Sequence, residues 1–498
     1  MAARVFDEET LDLLATPLSV QVERAAKSRN LGEVDWIVDQ MNQECLGIYD
    51  AYVSWMGVLQ TYIIEKAGQA AHDLALTWVG EYGTRPFVRR YAGLGARDRA
   101  LLLAERLRAS GSTFEVSEDE QRVRFELDPW GPIRWWRAPE SEGLSWERPE
   151  TSGRRMRYPT YGHYGGPVGF AELEGARPFT HGRDSLPAFL ATEILFLETA
   201  PIELFGYPIA VIGLPEDAAG ATTLDVYKDP ADVPAEAYRR AGVEKPVGGL
   251  PAGTRERLFS DEELDRMATP LSLQVQLAAA AEDHERLLAI AAGMDRELVG
   301  AKDPIGVTIA GLLSWIAWHL GEAAAEEALE RTAEVVMSPF IAAVRDLTIA
   351  DSIPAWAVAW RSHGSTFWME EREETVILRG RPLGACHRML SHAYQPDVVR
   401  LSESRVRYPT FGVYDAPASF HLMREARGIT HGKTDYPIYG CHCHMLHEIF
   451  PIDQLGHPLW VEEHNLEDPD GEMIHIHYKD PSAWPARYYE QVGRSKSG

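Results

Sequence analysis

The sequence predicts an α+β protein written twice in tandem, and three observations predict it. Short segments recur in fixed order at an offset near 250 residues. Each copy opens with apolar residues at helical spacing and closes with alternating, β-branched runs joined by turn residues. One further segment in each copy reads as a helix inserted into the strand-rich part, so each copy is a helical front followed by a mostly antiparallel sheet with an inserted helix.

The repeat fixes the organisation. Ala15–Val22 recurs as Ala268–Val275, Gly111–Phe114 as Gly364–Phe367, Arg157–Gly162 as Arg407–Gly412, Thr180–Gly182 as Thr430–Gly432 and Tyr227–Pro230 as Tyr478–Pro481. The first repeat is read as 1–244, a Gly/Pro-rich linker as 245–256 and the second repeat as 257–498. Two copies in one chain suggest an internal pseudo-dimer packed about a pseudo-two-fold axis, open to further homo-oligomerisation.

In the second copy, Ser260 and Glu263 mark a helix start by the capping-box pattern. Leu271, Val275, Leu287, Leu288 and Ile290 keep helical spacing, and helices follow near 321–336 and 340–349. Matching helices are expected between Glu8 and Arg108. Phe367–Glu371 with Glu374–Leu378, and Phe114–Val116 with Arg122–Leu127, suit paired strands. Cys441–Glu448 and its counterpart Ala191–Glu198 read as helices, followed by strands at 457–463 and 473–478 around a turn at Asp468–Gly471.

Composition removes several function classes. A formal net charge of −26 disfavours binding to nucleic acid or to anionic membranes. The first nine residues hold no apolar run, so no signal peptide is expected, and the four cysteines form no disulfide framework; a cytoplasmic protein is the expectation. The longest apolar run, Ile309–Leu320, carries His319 and is too short to cross a membrane.

Chemistry concentrates in the second copy. Two thiols, three imidazoles and a carboxylate fall within the eight residues Cys441–Glu448, and His475 and His477 share one face of a strand. The first copy has Ala191, Thr192, Glu193, Ile194 and Leu197 opposite Cys441, His442, Cys443, His444 and His447, and Leu224 and Val226 opposite His475 and His477. Fourteen of the seventeen histidines follow the linker. A structural role would serve both copies, so the second reads as the active half and the first as a degenerate scaffold or lid.

At helical spacing Cys443 and His447 point together, as do Cys441, His444 and Glu448. Thiolate plus imidazole is a ligand set for zinc, copper or iron, so Cys441, Cys443, His444, His447, His475 and His477 are the candidate metal ligands. Glu448 and His431 are candidate proton-moving groups, although both survive in the first copy as Glu198 and His181. His442 reads as solvent-facing or packing and His457 as a loop residue, Cys45 and His319 as core, and Cys386 as a buried free cysteine or one more ligand. His464, His163 and Glu193 stay open, and the tryptophans read as core or as the wall of an organic-ligand pocket.

The helix opening on cysteine, the run Leu455–Glu463 and the Asp470–Glu472 turn before a final strand resemble the V4R-type ligand-binding domains and the similar L-2-amino-thiazoline-4-carboxylate hydrolase family, over roughly 363–480. The resemblance implies an α+β body, binding of small aromatic or tetrapyrrole-like molecules, and in some members a zinc site of Cys and Glu. It would match Cys441 or Cys443 to the helix-start ligand, His475 or His477 to a final-strand cysteine, and Glu370 or Glu371 to the strand carboxylate.

The expected function is a metal-dependent enzyme acting on a small organic substrate, by hydrolysis or C–N/C–S bond cleavage, with redox chemistry at copper or iron next. The alternatives are a metal-containing sensor of aromatic or tetrapyrrole molecules and a metal-free Cys–His thiol enzyme.

Overall fold

Three of the motifs that occur twice in the sequence have a local physical reason. In Gly-Ser-Thr-Phe, Gly111 and Gly364 take left-handed backbone with φ of 65° and 63°. A Cβ on Gly364 would also lie 2.6 Å from a Val299 methyl. The next residue satisfies a distant amide: Ser112 Oγ accepts from Gly131 N at 2.9 Å and Ser365 Oγ from Gly384 N at 2.8 Å. In Thr-His-Gly, Thr180 and Thr430 accept the amides of Arg177 and Arg427, and His181 and His431 follow at φ of 58° and 52°. In Tyr-Lys-Asp-Pro, the Asp229 and Asp480 side chains accept the Ala231 and Ser482 amides and start a 3₁₀ turn.

The computed structural model describes residues 4–30, 32–128, 131, 170–215, 221–390, 395, 398–410, 420–464 and 471–496. The Arg157–Gly162 segment, its partner at 411–412, His163, Trp130, Trp135, Trp136, Trp146 and most of the Asp468–Gly471 turn lie outside them, as do the side chains of Cys45 and His464. The chain is a mixed α and β protein with antiparallel sheets, and it forms two compact units. One comprises Met56–Leu277 with Gly300–Thr308; the other comprises Met1–Trp55, Ala278–Val299 and Ile309–Gly498. Among the described residues no helix is long and apolar enough to cross a membrane.

The Met56–Leu277 unit holds a four-stranded antiparallel sheet in the order Phe114–Glu118, Arg122–Leu127, Thr222–Tyr227, Val211–Gly213. The 258–277 segment belongs to this unit. Glu118 accepts the amides of Leu258 and Phe259 at 2.7 and 3.0 Å and pairs with Lys228 at 2.5 Å. Ser260 and Glu263 then cap the helix Asp261–Ala268 through the capping box read from the sequence.

The other unit holds the sheet Phe367–Glu371, Thr375–Gly380, Met473–Tyr478, Val461–His464, again antiparallel throughout. Its N-terminal helices Glu8–Ala15 and Leu18–Ser28 come from the start of the chain. Glu371 accepts the amides of Val5 and Phe6, each at 2.8 Å, and pairs with Lys479 at 2.5 Å. Arg361 pairs with Glu44 at 2.7 Å, both side chains buried. The helical front that precedes a sheet in space is therefore not the one that precedes it in sequence: 4–55 packs with the later sheet and 258–277 with the earlier one.

Most strand positions match the sequence reading, although the strand expected at 457–463 begins only at Val461; Met473–Tyr478 alternates buried and half-buried residues so that His475 and His477 face inward. Helices match less well. Glu322–Val344 and Ile349–Ser362 replace the segments expected at 321–336 and 340–349, because the apolar pattern does not break at residue 336.

Candidate metal centre

The inserted helix is not a regular α-helix. A 3₁₀ turn at Ile438–Gly440 leads into an α-turn at Cys441–His444, a π-turn at Met445–Ile449 and an α-helix Phe450–Leu455 that ends at left-handed Gly456. Pro451 is the local cause we identify. It has no N–H to give to the His447 carbonyl, which accepts instead from Leu459 N at 2.9 Å. The same device recurs at Pro201, where the Leu197 carbonyl accepts from Ile209 N at 2.9 Å beside the π-turn Leu195–Thr199. A π-turn shifts facing residues from i,i+4 towards i,i+5. His442 and His447 accordingly present their rings to each other at 6.3 Å, and Cys443 and His447 do not form the pair expected from α-helical spacing.

The candidate residues sort into two groups and three outliers. The first group surrounds Cys443. Its sulfur lies 3.5 Å from His442 Nε2 and meets the side chains of Cys386 and Glu462. Hydrogen bonding with Cys386, then burial, pushes the Cys443 thiol well above its ordinary range. Glu462 and His475 stand directly opposite each other on paired strands, so both point to one face, with Glu462 Oε2 at 3.5 Å from His475 Nε2. His475 is 0% exposed, and neither ring nitrogen makes a hydrogen bond. Its ring lies parallel to Trp460 at 5.5 Å and edge-on to Trp360 at 4.3 Å.

The second group is His431, His444 and Glu448, whose ligand atoms all lie within 4.8 Å of one another. His431 Nε2 is 2.9 Å from Glu448 Oε2, and Glu448 Oε1 accepts the Glu462 amide at 3.1 Å. His444 Nδ1 donates to the Ile429 carbonyl at 2.7 Å, which leaves the Nε2 lone pair as its acceptor. Burial pushes Glu448 up to about 7 and holds His431 and His444 down at about 4. Glu462 joins the two groups, with its side chain in the first and its amide on Glu448 of the second.

The outliers are Cys441, His447 and His477. The Cys441 thiol is buried and donates to the Pro437 carbonyl at 3.9 Å. His447 lies face to face with Trp460 at 3.9 Å; its Nδ1 is buried without a hydrogen bond, and burial holds its pKa well below the ordinary value. His477 sits farther along the strand against Trp356 and Trp460, neutral down to about 3 through burial. His442 is buried rather than solvent-facing, packed on Trp55 and Tyr439. Neither Glu370 nor Glu371 approaches this centre: Glu370 pairs with Arg372 on the surface, and Glu371 holds the chain's N-terminal segment. His319 packs on Trp315 and His457 sits in a loop, as read from the sequence.

Glu462 went unread in the sequence although a signal was available. Ile212 stands opposite it in the first half, the same asymmetry that marks the Cys/His cluster. Two arginines carry a second signal. In the Met56–Leu277 unit Glu193, at the position of Cys443, is held by Arg106 at 2.8 Å, and Glu198, at the position of Glu448, by Arg240 at 3.3 Å. The positions of Arg106 and Arg240 correspond to Ala359 and Gln491 in the other half. The half that carries the soft donors has neither guanidinium group at these two positions.

Compared with known proteins, the chain matches no family model, no curated protein and no solved structure.

Proposed function

We propose that this chain is a metal-dependent enzyme acting on a small organic substrate, with its ion held by Cys443, Glu462 and His475 and by Cys386 as a fourth donor. The observation that carries the proposal is His475, a wholly buried imidazole with no hydrogen bond at either nitrogen, facing the buried Glu462 carboxylate, which itself meets the Cys443 thiol. A buried polar group without a partner costs about 1–3 kcal/mol, and an ion would remove that cost. The exchange of Arg106 for Ala359 supports the same reading, since a cation would then replace a guanidinium.

Thiolates, an imidazole and a carboxylate suit zinc first, then copper or iron. When bound, the ion would supply Lewis acidity to a substrate carbonyl or similar group. The chain's own residues would orient the substrate against the Trp360 and Trp460 rings and exclude water. His447, with an unpartnered Nδ1, would accept or return a proton. Hydrolysis or C–N/C–S cleavage is a reaction class that these parts would serve. We also read the two halves as copies of one ancestral unit in which the earlier copy lost or never gained the centre.

The test is metal content by mass spectrometry on untagged protein beside Cys443→Ser/His475→Ala. Zinc, copper or iron bound in the wild type, with one equivalent fewer in the double variant, is expected; equal content in the two folded proteins sinks the proposal. Complete burial of four donors favours a second reading, a closed structural ion in a protein that binds an aromatic molecule. A cobalt-loaded protein whose spectrum shifts with a small anion such as azide has an open coordination position and supports the enzyme; an unchanged spectrum supports the binding protein.

A further inference from the structure

The buried pair His–Glu occurs in both units, and its surroundings differ in two respects. In the Met56–Leu277 unit His181 Nε2 lies 3.2 Å from Glu198 Oε2, the Ile212 amide donates to Glu198 Oε1 at 2.7 Å, and the Arg240 guanidinium completes the set at 3.3 Å. Glu198 is 1% exposed, so its charge is balanced by that arginine. In the other unit His431 and the Glu462 amide hold Glu448 in the same way, but the arginine is replaced by Gln491, whose amide donates to Glu448 Oε2 at 3.4 Å and carries no charge. Glu448 is 0% exposed, and among the described residues no Lys or Arg pairs with it. The second difference is His444, which stands where the first half has Ile194 and stacks on His431 at 3.4 Å.

We infer that His431, His444 and Glu448 form a second cation site, for a divalent first-row transition-metal ion, at the place where the other unit keeps an arginine. The loss of the guanidinium and the gain of an imidazole are two substitutions around one carboxylate, and a dication explains both. The tautomer of His444 is already the one a ligand needs, and the stacked His431 ring would have to rotate for both imidazoles to reach one ion. The Nδ1–H of His444 is spent on the Ile429 carbonyl, so its Nε2 lone pair is the one that would ligate, displacing the hydrogen bond it accepts from the Tyr436 hydroxyl at 3.3 Å. The three ligand atoms lie within 4.8 Å of one another, so side-chain shifts of about 1 Å would bring them to the roughly 3.3–3.6 Å spacing of tetrahedral ligand bonds of about 2.0–2.2 Å. An ion entering would release the proton held between His431 and Glu448. Two imidazoles and one carboxylate form a harder donor set than the thiol centre and suit zinc, iron(II) or cobalt(II). This site shares no donor with the centre proposed above and does not depend on it.

Cobalt(II) tests it on the full-length protein. Protein stripped with chelator is loaded with cobalt and desalted, and its content and absorption are measured. The wild type is expected to hold one equivalent more than Gln491→Arg or His444→Ile, and both variants are expected to keep any thiolate-to-cobalt band. Gln491→Arg restores the arrangement that folds around Glu198, so it stands in if His444→Ile does not fold. Cys443→Ser/His475→Ala is expected to retain one equivalent without that band. Cobalt content unchanged in Gln491→Arg, or no cobalt left in Cys443→Ser/His475→Ala, overturns the second site. Loss of the band alone bears only on the thiol centre.

Discussion

Glu371→Ala should release the first residues of the chain from the sheet that holds them. The Glu371 carboxylate is 1% exposed, accepts the Val5 and Phe6 amides at 2.8 Å each and pairs with Lys479 at 2.5 Å. A hydrogen bond to a charged group is worth about 1.5–3 kcal/mol. Taking the lower figure for both amides, because Val5 is partly exposed, gives a loss of about 3 kcal/mol, roughly a hundredfold in the opening equilibrium of this segment. Hydrogen exchange with mass spectrometry over 5–15 reads that opening directly. The clamp also has a pH signature. Burial alone would raise the Glu371 pKa, but Lys479 and the Val5 and Phe6 amides outweigh it and hold the carboxyl below its ordinary 4.5. A depressed carboxyl contributes stability that is complete above pH 4.5 and is lost as pH falls through the lowered value. The wild-type segment should therefore loosen in acid, and the variant should be loose already at neutral pH. Equal protection of 5–15 in wild type and Glu371→Ala at pH 7 would refute the reasoning.

Glu193→Ala removes the carboxylate that holds Arg106 at 2.8 Å, both side chains being at most 10% exposed, and should cost about 3–5 kcal/mol by denaturant unfolding. Trp460→Ala removes a buried ring that lies against His447 and His475; it should cost about 3–5 kcal/mol and reduce metal content, while Trp460→Phe keeps most of both. Gly364→Ala puts a side chain on left-handed backbone 2.6 Å from Val299, and should destabilise by more than about 1 kcal/mol in a thermal melt.

Local patterns were legible in the sequence. The Ser260–Glu263 cap, the strand pairs and the inward face of His475 and His477 each depend on neighbours within a few residues or on simple alternation. The crowding of these side chains was legible as a neighbourhood, since Cys443, His444, Glu448 and His475 all fall in one of two buried clusters. Its partition was not. The π-turn beside Pro451 changes which side chains share a face, and helical spacing alone assumes that every carbonyl finds its donor four residues on. Cys386 and Glu462 arrive from a distant helix and strand, and Glu462 looks like an ordinary surface carboxylate until Ile212 is set opposite it. The assignment of 4–55 to the later sheet rests on contacts such as Val5 with Glu371, more than 360 residues apart in the chain, which no local pattern encodes.

X-ray absorption at the zinc edge of zinc-loaded, full-length protein tests the central claim most directly. Sulfur scatterers are expected at about 2.3 Å beside nitrogen and oxygen at about 2.0 Å, with the sulfur shell lost in Cys443→Ser/Cys386→Ser. A shell of nitrogen and oxygen alone in the wild type, or a sulfur shell that survives the double substitution, would contradict it.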